Sequence, residues 1–102
     1  MNKMEKKEIC LEFDKLITNL AGNRFGVDVY EEQVKNKIAV KCENTIIFPI
    51  QIEDVASSFI QGMYKKLGEE YGKTTATQIM KLYAMNKEAD EKIKDCIETY
   101  GV

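Results

Sequence analysis

The sequence predicts a small α/β domain, with a mostly parallel or mixed sheet of three to five strands and about three main helices. Two observations carry this prediction. Apolar residues recur with a period of two in some segments and near 3.6 in others. The two kinds of segment alternate along the chain, which favours parallel strands joined by right-handed helical crossovers. Residues 1–102 are expected to form one domain around a single core.

The first predicted strand covers residues 8–13. Ile9, Leu11 and Phe13 alternate there with polar residues and cysteine, the pattern of a half-buried strand. A short hairpin partner is considered around residues 14–17, where two apolar residues extend the pattern.

A loop is predicted over residues 19–26 and a helix after it. Gly22 and Gly26 favour the loop because glycine adopts backbone conformations that other residues avoid. Asp28 is expected to cap the helix, and Glu31 to complete a capping box. The apolar stripe of this helix comprises Val27, Tyr30, Val34 and Ile38.

The most apolar run, residues 45–50, is predicted to be a central strand covered on both faces. Pro49 lacks a backbone N–H, so regular pairing should stop there. Residues 39–42, just before it, fit either another strand or a connection.

A turn over residues 51–56 leads into the second helix. Ser57 or Ser58 is expected to cap it, and Ser58 with Gln61 has the spacing of a capping box. Its apolar stripe is Phe59, Met63, Leu67 and Tyr71.

The pattern of the remaining residues, after the second helix, predicts one more strand and one more helix. Residues 73–78 are polar and Thr-rich and are interpreted as a single helical turn, and residues 79–85 alternate as a strand. Asn86 is expected to cap the last helix, whose inner stripe is Ala89, Ile93, Cys96, Ile97 and Tyr100.

Composition excludes several classes of function. The absence of histidine removes Ser-His-Asp and Cys-His catalysis and histidine-ligated metals. A net charge of −2 argues against direct nucleic-acid binding. Three cysteines without close spacing fit a reduced cytoplasmic setting, and no apolar run suits a signal peptide or a membrane span. We therefore expect a cytoplasmic protein that is not an enzyme, has no cofactor or metal, and does not contact a membrane.

The best place for a regulatory or anion-binding site is the edge where the carboxyl ends of parallel strands meet helix N-termini. Arg24, Ser57 and Ser58 are predicted to lie at this edge, with Asn86 nearby. The alternative is purely structural: the serines cap a helix and Arg24 pairs with an acidic neighbour.

Residues 45–62 also carry a family resemblance. Phe48-Pro49, followed by Ala-Ser-Ser-Phe-Ile-Gln-Gly at residues 56–62, resembles STAS domains, in particular small bacterial STAS-like domains of unknown function. Asn-Arg-Phe-Gly at residues 23–26 also suits that family. The resemblance implies a cofactor-free, protein-binding regulatory module.

In the antagonist members of that family, a partner kinase phosphorylates a serine at this helix start. The matching residue here is Ser58. Ala56 and Phe59 replace the aspartate and glycine of the family pattern, and this departure weakens the expectation of a phosphorylation switch.

The leading functional hypothesis is a regulatory module that docks to another protein. The expected surface is the Ser57 and Ser58 edge with the outer face of the second helix, including Gln61 and Lys65. A homodimer is compatible with the sequence. One alternative is a phage or mobile-element inhibitor of a host defence protein, acting through an acidic patch of Glu31, Glu32, Glu69, Glu70, Glu88, Asp90 and Glu91. Another is an anion- or nucleotide-binding domain at the Arg24 and Ser58 edge.

Overall fold

The computed structural model describes residues 5–100 and has an α/β architecture. Its strands and helices follow one another in the order β1 (Glu5–Cys10), β2 (Asn19–Leu20), α1 (Asn23–Val29), a π-helical segment (Tyr30–Val34), β3 (Cys42–Phe48), β4 (Asp54–Val55), α2 (Ser57–Tyr71), α3 (Lys73–Ile79), β5 (Met80–Ala84) and α4 (Lys87–Tyr100).

The main sheet contains β1, β3 and β5 in that spatial order, and both pairings are parallel. The α/β class and the central position of the apolar strand are therefore confirmed. β3 starts at Cys42, so residues 39–41 are a connection, and it stops just before Pro49. The short strands β2 and β4 form a separate parallel pair.

Residues 5–98, whose side chains the structure describes, fully cover only one face of the main sheet. Ile46 and Phe48 are completely buried on that face, whereas Thr45 and Ile47 on the other are partly exposed. The prediction that both faces of β3 are covered is wrong within residues 5–100. The physical reason is that α2 contacts both α1 and α4, and their apolar stripes join one core with the same side of the sheet.

The first helix begins five residues earlier than predicted. α1 starts at Asn23, directly after Gly22, whose φ of 98° lies in the left-handed region that glycine tolerates. The predicted loop over residues 19–26 and the capping role of Asp28 are wrong, because Asp28 lies inside the helix. Gly26 was a misleading signal: it belongs to a helix that packs unusually close to α2.

The hairpin partner considered around residues 14–17 does not form. Leu16 is 90% exposed, and the next strand, β2, pairs with β4 instead of β1. The side chain of Asp14 accepts a hydrogen bond from the Leu16 N–H at 2.9 Å, which gives this segment a local turn. Gln51 donates to the carbonyls of Phe13 and Asp14 and holds the turn against the β3–β4 connection.

The N-terminal caps of α2 and α4 differ from each other. Asn86 caps α4 as predicted, since its Oδ1 accepts hydrogen bonds from the N–H groups of Glu88 and Ala89 at 2.9 and 3.2 Å. By contrast, α2 has Ala56 at its N-cap and no side-chain capping bond. The predicted caps Ser57 and Ser58 are already inside the helix, so the capping box is wrong.

A buried polar residue organises the amino end of the sheet. Asn44 is fully buried in β3, and its side chain bonds to the backbone of Ala39, Cys42 and Ile79. One amide thus fixes the connection before β3 and the junction between α3 and β5. This replaces the hydration that a buried amide loses.

Candidate functional site

The segments that lead into α1 and α2, next to Arg24 and the two serines, meet in the structure. The N–H of Gly22, just before α1, donates to the Ser58 Oγ at 3.1 Å. The Ala56 N–H donates to the carbonyl of Leu20 at 2.8 Å. Hydrogen bonds therefore connect the start of α2 to the start of α1, and the Ser58 side chain accepts one of them.

Arg24 is at this edge but points away into solvent. Its side chain is 90% exposed and its Nε lies 3.4 Å from Asp28 Oδ1, one helical turn along α1. The structural alternative, in which Arg24 pairs with an acidic neighbour, is confirmed. Exposed pairs of this kind contribute about 0.3–0.5 kcal/mol, so the pair holds Arg24 only weakly.

Ser57 borders a shallow cleft of about 310 Å³ between the start of α2 and α4. The charged residues of the cleft are Asp54, Asp95 and Lys92, and Lys92 is paired with Asp54 at 3.1 Å. Partial burial, then the nearby carboxylates of Asp95 and Asp54, raise the pKa of the Cys96 thiol. Two carboxylates against one paired lysine disfavour an anion here, although a helix N-terminus by itself favours one.

The crossing of α1 and α2 is fixed by two glycines. A Cβ added to Gly26 would lie 2.1 Å from the carbonyl oxygen of Phe59, and one added to Gly62 would lie 2.1 Å from that of Asn23. Backbone thus packs directly on backbone, and any side chain would separate the helices. This contact positions the Ser58 edge.

The predicted partner-surface residues Gln61 and Lys65 are exposed on α2, as expected for its outer face. They line one side of a groove of about 320 Å³ between α2 and α3, with Tyr64 and Ala76 at its base. Tyr64 is anchored there because its hydroxyl donates to the carbonyl of Met80 at 2.6 Å, and burial raises its pKa. The base of the groove is therefore anchored to the start of β5.

A cleft that the sequence analysis missed lies beside the π-helical segment. It has a volume of about 500 Å³ and is bordered by Tyr30, Glu31, Lys66 and Glu70 among others. Burial, and then the negative charges of Glu70 and Glu31, raise the pKa of the Tyr30 phenol. Glu31 lies within 4.0 Å of both Lys35 and Lys66, and Glu69 and Glu70 add two further carboxylates to the cleft, which disfavours an anionic ligand.

The largest feature that sequence reasoning missed is the uncovered side of the main sheet, which we call the open face. It consists of Lys6, Glu8 and Cys10 from β1, Glu43, Thr45 and Ile47 from β3, and Lys81 and Tyr83 from β5, followed by Met85. These side chains are exposed or only partly buried.

The strand register arranges the open face in rows. Glu8, Thr45 and Lys81 share one row, and Cys10, Ile47 and Tyr83 share the next. Tyr83 and Met85 are 46% and 54% exposed. The face therefore has an apolar half toward the carboxyl ends of the strands and a charged half toward their amino ends.

Glu8 and Lys81 lie on opposite edges of the open face. Two strand spacings, about 9.5 Å, separate their backbones, and the two side chains do not pair with each other in the structure. Neither has an ion-pair partner among residues 5–98. A negative charge on one edge and a positive charge on the other are thus available to a binding partner.

One signal in the sequence pointed to this face. Lys81 and Tyr83 alternate with Met80 and Leu82, so the last strand should have an outward side. The apolar residues on both sides of β3 obscured it, because Ile47 looks like a core residue until the helices are placed.

Within the described chain, no cluster of three or more metal-ligating side chains occurs, and none of its helices has the length and apolarity needed to cross a membrane. The chain matched no protein-family model, and comparisons with curated proteins and with solved structures found no significant match.

Proposed function

We propose that this chain is a non-catalytic regulatory module that binds another protein through the open face of its sheet. The observation that carries the proposal is the exposure of one face of an all-parallel sheet. Such sheets occur almost only with both faces covered, because apolar side chains project from both. A protein partner supplies the missing cover.

The chemistry of the open face defines the partner. Ile47, Tyr83 and Met85 offer an apolar area, with an aromatic residue of the kind that dominates binding energy at interfaces. Glu8 and Lys81 flank it with opposite charges. The partner therefore has an apolar centre, a cationic group that meets Glu8, and an anionic group that meets Lys81.

This proposal keeps the kind of function that the STAS-like resemblance implies and moves the docking surface. Ser58 is occupied by the contact with Gly22, and Ser57 lies beside Asp54 and Asp95. Both observations make the serine edge a weaker docking surface than the sheet face. Membership of the STAS-like family stays a prediction from the motif residues.

Site-specific photocrosslinking tests the proposal. The photoreactive residue p-benzoylphenylalanine replaces Tyr83 on the open face or, as the matched control, Gln61 on the outer face of α2. We expect irradiation of cells that make the position 83 variant to yield a crosslinked protein. Adding Lys81→Glu to that variant should abolish the crosslink. Crosslinks from position 61 alone, or a position 83 product insensitive to Lys81→Glu, contradict the proposal.

A further inference from the structure

We infer that the partner of the open face is a second copy of this chain, packed face to face about a two-fold axis parallel to β3. The inference rests on the proposed function, since it names the occupant of the same surface. The argument comes from the charge pattern and register of the three strands.

A two-fold axis along β3 places strands over strands in a defined way. β3 of one copy lies over β3 of the other, and β1 of each copy lies over β5 of its mate. Residues of one row stay at the same level, so Glu8 faces the mate's Lys81 and Lys81 faces the mate's Glu8. Two ion pairs then form across the interface.

The apolar row obeys the same symmetry. Ile47 lies on the axis against its own symmetry mate, and Cys10 lies over the mate's Tyr83. Sheets packed in this way are about 10 Å apart, the distance at which side chains of two aligned sheets interdigitate. The partly exposed Ile47 and Tyr83 gain cover in this arrangement.

The row nearest the amino ends is also balanced. Lys6 and Glu43 are neighbours in register. In the dimer the two Glu43 side chains face each other near the axis, and a Lys6 from each copy flanks them. Two positive and two negative charges share this end, which moderates the repulsion between the carboxylates.

The other symmetric arrangement is disfavoured. A two-fold axis across the strands places β1 over β1 and β5 over β5. If this axis passes through the row of Glu8, Thr45 and Lys81, Glu8 meets Glu8 and Lys81 meets Lys81. Moving the axis to lie between the two rows places Glu8 over Cys10 and Lys81 over Tyr83, which leaves both charges without a partner. Only the axis along β3 satisfies Glu8 and Lys81 together.

The size of the open face sets the expected strength. Three strands about 4.8 Å apart and six residues at about 3.3 Å each give a footprint of roughly 300 Å². Each copy then contributes less than the roughly 800 Å² per partner of a standard specific interface. The dimer is therefore expected to be weak, to form on concentration, and to weaken as salt screens the ion pairs.

Charge exchange tests the inference by sedimentation equilibrium. Glu8→Lys or Lys81→Glu each turns two attractive pairs into repulsive ones and should raise the dimer dissociation constant roughly tenfold or more. The double variant E8K/K81E recreates both pairs with reversed polarity and should restore association. A wild-type chain that stays monomeric up to about 500 µM, or a double variant no better than the single ones, overturns the inference.

A chemical crosslink between cysteines gives a second readout, which does not require that the charge-exchange variants fold. In a background with its three cysteines changed to serine, Ile47→Cys lies on the axis and should couple to its mate through a short bismaleimide. Lys65→Cys on α2 should not. Equal coupling at the two positions contradicts the dimer. A position 83 photocrosslink to a different protein, with a monomeric wild type, overturns this inference alone and leaves the proposed function standing.

Discussion

The two faces of the same three-stranded sheet differ in what covers them. On one face Ile46, Phe48 and Leu82 are buried in the core, and two glycines bring α1 and α2 into backbone contact. On the other face the alternate residues Ile47 and Tyr83 keep contact with solvent. Neighbouring residues of one strand thus have separate tasks: one set stabilises the fold and the other is available for recognition.

The largest expected difference is between two adjacent isoleucines. Ile46→Ala removes a fully buried side chain and should lower the free energy of unfolding by about 4 kcal/mol, because it leaves a cavity under the helices. Ile47→Ala, on the open face of the same strand, should cost about 1 kcal/mol or less in the monomer. Urea unfolding of both variants measures the contrast, and equal losses contradict a sheet covered on one side only.

The helix crossing should be the next most sensitive feature. Gly62→Ala places a Cβ against the Asn23 carbonyl and should cost about 3 kcal/mol, since backbone on both sides must move. Gly68→Ala is the matched control in the same helix: nothing lies within 4 Å of its Cβ position. It should be stabilising by up to about 1 kcal/mol through helix propensity. Thermal melts of the two variants should shift in opposite directions.

The serine edge should give a smaller effect. Ser58→Ala removes the acceptor for the Gly22 N–H and should cost about 1 kcal/mol. Ser57→Ala, one residue earlier, should change the free energy of unfolding by less than about 0.5 kcal/mol, because substitutions at the surface usually have effects no larger than this. If Ser57→Ala proves the more damaging in chemical denaturation, the structural role assigned to Ser58 is wrong.

The order and type of the main strands could be predicted from periodicity alone. Residues 8–13, 45–50 and 79–85 overlap β1, β3 and β5, and the residues between them supply the helical crossovers. Asn86 was recognisable as a cap because its side chain acts on its own neighbours in sequence. Local chemistry of this kind is legible in a sequence.

The predictions that were wrong concern residues whose contacts lie far away in the sequence. Gly26 favours a loop locally, and only its packing against Phe59 explains why it belongs in a helix. Ser58 resembles a cap, yet its partner is Gly22, 36 residues away. The exposure of Ile47 follows from the packing of the core against the opposite face of the sheet, which no single segment encodes.

The most direct test of the central claim, that the open face is a surface for docking a second copy, is the alkylation rate of Cys10 in the native chain. Cys10 is exposed on that face, whereas burial hinders Cys96 and raises its thiol pKa. Mass spectrometry can follow alkylation of each thiol as the protein is concentrated from about 1 µM to about 500 µM. We predict that Cys10 becomes several-fold slower to react while Cys96 is unchanged, and that Lys81→Glu abolishes the slowing. A Cys10 rate that is independent of concentration would contradict the claim.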